Sequence, residues 1–187
     1  MPPKTEIHIN ESYRDYSPRF DAAKTIRRLL EPVPEKYLVG LGSIVLSNFS
    51  GLSRGRRMGK LVSRKRRVTK SQTLGYYQQA WQGQPAYIEL YVDKIMERLR
   101  EEKVPTWIPP VRDIFLGLVF YHELGHHAHR AVRPEYRERE DVADDWSRKF
   151  TANFISKRYW YARPFLSMAS HAYKLMKRMR SGRQPEP

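Results

Sequence analysis

Apolar positions change their period along this chain, and each change marks an element. Ile7 and Ile9 alternate with polar neighbours over residues 5–10, which predicts a short strand. Ala22, Ala23, Ile26, Leu29 and Leu30 then recur at helical spacing behind Asp21, a residue suited to cap that helix, and Glu31-Pro32-Val33-Pro34 ends it. Residues 37–49 are β-branched and aromatic, with Gly40 and Gly42 inside, and predict a strand carrying a bulge. Residues 73–81 and 85–92 read as two strands joined by Gln82-Gly83-Gln84. In the second of them Tyr87, Glu89 and Tyr91 alternate with Ile88, Leu90 and Val92, as in a sheet with one covered face. Residues 95–102 predict a short charged turn or helix, and Pro105-Thr106-Trp107-Ile108-Pro109-Pro110 a rigid linker. Three helices follow. One covers 111–131, and a second runs from about Pro134 towards Trp160 with Val142, Trp146, Phe150 and Phe154 as its stripe. The last covers 165–180, burying Leu166, Met168, Ala169, Ala172, Tyr173 and Met176, and residues 181–187 form a frayed tail.

The long helix over 111–131 carries the chemistry. His122-Glu123-Leu124-Gly125-His126 puts two histidines four residues apart, one turn apart on one helix face. Two imidazoles so placed can reach one metal ion, and the glutamate after the first can point at a metal-activated water. Fourteen residues beyond His126 stands Glu140-Asp141-Val142-Ala143-Asp144, with two carboxylates four apart on one face of the next helix.

HELGH followed by E-x-x-A-D resembles the gluzincins, the clan typified by thermolysin, and within it the minigluzincins and the peptidase domains of ImmA/IrrE type. The resemblance covers about residues 74–154 in pattern, and its specific content is the two short motifs. It implies a zinc ion (Zn2+) held by His122, His126 and Glu140, with Glu123 as catalytic base and Asp144 hydrogen-bonded to a ligand histidine. It implies that the strand around Gly75-Tyr76-Tyr77 borders the cleft and pairs with substrate backbone. It also implies a second electrophile to steady the oxyanion, for which His171, Tyr161 and Tyr173 are the candidates. In one respect the chain departs from the clan: the interval from His126 to Glu140 is short, which keeps Glu138 and Asp141 as lesser candidates for the third ligand. Arg133-Pro134 supplies the sharp turn that interval needs.

Composition narrows the chemistry further. The chain has 187 residues, and that length fits one domain able to bury a core. With no cysteine, thiolate catalysis and zinc-ribbon sites are excluded, so any metal must use His, Asp or Glu. The first residues hold no apolar signal core and the longest apolar run, 114–121, is too short to span a bilayer, so a cytoplasmic protein is expected. The formal net charge is +15, which favours anionic partners. Much of it is concentrated in residues 51–72, where Arg64, Lys65, Arg66 and Arg67 are consecutive. That segment is expected to form a basic loop for nucleic acid or an acidic protein, or else a solvated hairpin. His127 and His129 lie off the face of His122 and His126 and are expected to be exposed or to support the ligands.

The expected fold is α+β and zincin-like: a small twisted, mostly antiparallel sheet on the HExxH helix, with a glutamate helix and a C-terminal helix, all in a single domain over 1–187. The expected function is zinc-dependent peptide hydrolysis. The alternative is a regulatory or nucleic-acid-associated protein with a zincin-like site.

Overall fold

A four-stranded sheet with helices against one face frames the HExxH segment. The computed structural model describes residues 6–57, 60–62, 67–69, 73–132 and 140–162. Its strands are β1 (His8–Ser12), β2 (Leu41–Ser47), β3 (Lys60–Val62), β4 (Arg67–Thr69), β5 (Gly75–Gln78) and β6 (Ala86–Tyr91). Its helices are α1 (Ala22–Leu30), α2 (Arg54–Arg57), α3 (Val92–Glu101), α4 (Pro109–Val132) and α5 (Glu140–Arg158). The main sheet has the order β1-β2-β6-β5, and β3 pairs with β4 in a separate hairpin. Among the described residues no helix is long and apolar enough to cross a membrane. The C-terminal helix and tail expected over 165–187 lie outside the described residues.

The sheet is mixed rather than mostly antiparallel. β1 pairs with β2 and β2 with β6 in parallel, and only β5–β6 is antiparallel. The cause is the length of the connections. β5 and β6 are joined by a tight turn, with Gln82 and Gly83 both at positive φ, and so form a hairpin. β1 and β2 are separated by α1, and β2 and β6 by a long excursion through α2 and β3–β4, which leaves room for parallel crossovers. The bulge expected at the glycines of β2 is present as a register shift between Leu41 and Ser43. A Cβ on Gly42 would come within 2.5 Å of the Pro85 ring, so only glycine fits there.

Local signals explain the helices. Asp21 caps α1 by accepting the Lys24 backbone N–H at 2.7 Å. Ala22, Ala23, Ile26 and Leu29 of the α1 stripe are buried and Leu30 is half-buried, and the Tyr121 hydroxyl of α4 donates to the Leu29 carbonyl at 2.7 Å. One face of the sheet, carrying Ile44, Leu46, Ile88 and Leu90, shares a single buried cluster with Leu116, Phe120 and Leu124 of α4, and Phe150 and Phe154 of α5 complete that cluster against Tyr121 of α4. These apolar side chains leave water together, and burial of this kind is the main term holding the site helix in place.

Two buried carboxylates run against the alternation rule. Glu89, on the face opposite the core, is 1% exposed and accepts from Tyr76 Oη at 2.6 Å and Ser47 Oγ at 2.8 Å, with Arg56 3.4 Å away. Asp113, in the first turns of α4, is fully buried; it pairs with Arg28 at 2.9 Å and Arg112 at 3.3 Å and accepts from Tyr159 Oη at 2.8 Å. Such charges persist in an interior only when paired and hydrogen-bonded, as both are here.

Candidate active site

The seam between α4 and α5 positions the two motifs. α5 runs back along α4: Ala143 lies against Gly125, Ser147 donates to the Leu118 carbonyl at 3.2 Å, and Tyr159 reaches Asp113. Gly125 makes the close approach feasible. A Cβ there would sit 2.7 Å from the Ala143 carbonyl oxygen and 3.0 Å from its Cα. The glycine inside HELGH is therefore a packing residue, and its small size sets how near the second motif comes to the first.

That approach brings His122 and Asp144 together. His122 Nδ1 and Asp144 Oδ1 are 2.9 Å apart. An ionised carboxylate can only accept, so Nδ1–H donates to Asp144 and the ring's Nε2 points away from this contact. The His122 and His126 rings are 4.9 Å apart, centroid to centroid, and nearly perpendicular at 89°. Two imidazoles on one tetrahedral zinc at ordinary Zn–N lengths have centroids about 5 Å apart, so the pair fits that metal. Among the described residues no three His, Asp or Glu side chains form a group placed to hold a metal. Glu140, the expected third ligand, is the first residue of α5, one turn before Asp144, and its side chain lies outside the described residues. Glu138 also lies outside them, and Asp141 is exposed.

A cleft of about 440 Å³ opens beside these residues. α4 contributes Leu118, Val119, His122 and Glu123; α5 contributes Asp144 and Ser147; Thr73, Leu74 and Gly75 form the opposite wall. Glu123 is 9% exposed, so its carboxylate is shielded yet borders the opening. The opposite wall is the start of β5, an edge strand of the sheet. Lys94 steadies that wall by donating to the Thr73 carbonyl at 2.8 Å, and burial lowers the Lys94 pKa. An edge strand beside a cleft can pair with an extended chain.

The remaining candidates are dispersed. Tyr161 is exposed and packs edge-on to Tyr159, which is held at Asp113. Asp113 precedes His122 by nine residues, roughly 13 Å along a helix. Tyr161 is not among the residues that line the cleft. His171 and Tyr173 lie outside the described residues, as do Arg64, Lys65 and Arg66. Arg67 contributes backbone to β4.

His127 corrects the expectation of an exposed or merely supporting residue. It is 4% exposed and lies 3.2 Å, Nδ1 to Oη, from Tyr77 of β5, with the rings 5.4 Å apart. Burial lowers its pKa, which favours the neutral ring. The alternation of β5 was the available signal: Tyr77 shares a strand face with Gly75, and that face turns toward α4.

No family model matches the chain, and no curated protein matches it.

Proposed function

We propose that this protein is a zinc-dependent metallopeptidase of gluzincin type, with His122, His126 and Glu140 as zinc ligands and Glu123 as general base. The observation that carries the reading is the His122–Asp144 pair at 2.9 Å, because it joins the two motifs across the helix seam beside a cleft that Glu123 also lines. An imidazole oriented by a carboxylate through its far nitrogen is the arrangement a metal-binding histidine needs.

Zinc, when bound, supplies Lewis acidity toward a carbonyl oxygen and toward water. The chain supplies the rest. Asp144 fixes the tautomer and direction of His122. Glu123, shielded at the cleft edge, takes a proton from the attacking water and passes it to the departing amine. The edge of β5 holds an extended peptide by backbone hydrogen bonds, and Leu74, Leu118 and Val119 give the cleft an apolar lining that excludes water from the reacting carbonyl.

Elemental analysis of the purified full-length chain tests the metal. We expect one zinc per chain in the wild type, and loss of most of it in His122→Ala and in Glu140→Ala. Glu138→Ala and Asp141→Ala should keep it. A site emptied by Asp141→Ala and not by Glu140→Ala would reassign the third ligand, and a wild type that binds no zinc would end the proposal.

A further inference from the structure

We infer that Tyr77 and His127 are a positioning pair that sets the separation between edge strand β5 and helix α4, and with it the width of the cleft. The role assigned to the cleft rests on the peptidase reading; the pair itself rests on geometry alone.

Gly75 and Tyr77 are two apart and share the face of β5 that turns toward α4. At Gly75 the strand lies so close on β6 that a Cβ would meet the Glu89 carbonyl oxygen and the Leu90 side chain at 2.8 Å, and there the cleft opens against Val119 and Glu123. Tyr77, further along, reaches His127 at 3.2 Å, edge to face at 64°. β5 is thus pinned to α4 at Tyr77 and borders the cleft at Gly75. His127 follows His126 directly, about 100° round the helix, so one imidazole faces the metal position while the next supports the strand opposite. His127 is 4% exposed, and the contact is therefore made away from solvent, where a hydrogen bond holds its geometry well. A strand that binds substrate by its backbone must keep a fixed separation from α4 for an extended chain to fit and pair with it, so loosening the pair weakens binding.

The test uses Tyr77→Phe, His127→Leu and His127→Asn in the full-length protein. The asparagine keeps a polar atom near the Nδ1 position and serves as the conservative rescue. Hydrogen exchange is followed at the amides of residues 75–78. KM and kcat are measured on an unfolded, carboxymethylated protein, and zinc content on every sample. Removing one hydrogen bond should speed exchange at 75–78 by roughly two- to ten-fold and raise KM by a similar factor. Zinc content and kcat should stay at the wild-type values, and His127→Asn should lie closer to wild type than His127→Leu. Unchanged exchange at 75–78 in Tyr77→Phe overturns the pair, whether or not the protein is a peptidase. Faster exchange with unchanged KM in an active enzyme overturns its role in the cleft. A wild type that cleaves nothing counts against the peptidase reading, and exchange then decides the pair alone.

Discussion

His122 on α4 and Asp144 on α5 face each other across the helix seam with 2.9 Å between Nδ1 and Oδ1. Neither residue could make this contact within its own helix; it exists because α5 lies close against Gly125. The His122 side chain is 29% exposed and that of Asp144 54%, so the pair adds little to stability and its consequence is the orientation of the ring. Asp144→Asn should therefore leave the unfolding midpoint near the wild type while weakening zinc binding by about ten- to a hundred-fold, the usual effect of removing such a partner. Competition with a chromophoric chelator measures it, and undiminished affinity would detach Asp144 from the metal site.

Gly125→Ala separates packing from helix propensity. Propensity alone favours alanine in a helix by about 1 kcal/mol. The added Cβ, however, would lie 2.7 Å from the Ala143 carbonyl oxygen, and overpacking of this kind costs about 1–3 kcal/mol. The expected outcome is net destabilisation in urea together with weakened zinc binding, because α5 must move away and carry Asp144 with it. A stabilised Gly125→Ala would show that the seam is loose.

The elements legible in the sequence were those written locally. Asp21 and the stripe behind it specified α1, and the run before His122 specified α4. Gln82-Gly83 specified the β5–β6 hairpin. The parallel pairings of β2 were not legible, since residues far apart in the chain make them and no turn encodes them. Glu89 and Asp113 were hidden for a different reason: a hydropathy pattern counts a carboxylate as outward, while their burial depends on Arg28, Arg56, Tyr76 and Tyr159 arriving from other elements. Of the candidate site, the motif residues could be anticipated from spacing and the His122–Asp144 partnership from the family resemblance. The absence of Tyr161 from the cleft lining and the tie from His127 to Tyr77 could not, because both depend on how α4 sits against α5 and β5.

Asp113 ties α1, α4 and the residues after α5 into one buried network. Asp113→Ala would leave the guanidinium groups of Arg28 and Arg112 without their carboxylate, a loss of about 3 kcal/mol or more. Tyr159→Phe removes one hydrogen bond from the same carboxylate and should cost about 1 kcal/mol. Urea unfolding of the two variants measures both, and equal small effects would show that the network contributes little.

The buried tyrosines set an alkaline limit on stability. Burial raises the pKa of Tyr13, Tyr76, Tyr91, Tyr121 and Tyr159 above the ordinary value of 10.0, and at Tyr76 the hydrogen bond to Glu89 adds to it. In the unfolded chain these phenols ionise near 10. Their stabilising contribution is thus complete below about pH 10 and is lost as pH rises above it, because only the unfolded state releases their protons. Phenolate absorbance should rise in two stages, the second coinciding with loss of helical circular dichroism. A single stage near pH 10 with helicity intact would contradict the burial of these rings.

Substitution of Glu123 by glutamine tests the central claim most directly. The amide is nearly isosteric and leaves His122, His126 and Glu140 in place, so zinc-loaded Glu123→Gln should match the wild type in metal content. It cannot take a proton from water, and cleavage of an unfolded protein should fall by roughly a hundred- to ten-thousand-fold. Both proteins are loaded with zinc, verified by elemental analysis, and assayed side by side. A zinc-replete wild type that cleaves and a zinc-replete Glu123→Gln that does not is the predicted result; wild-type cleavage by the zinc-replete variant would contradict the account.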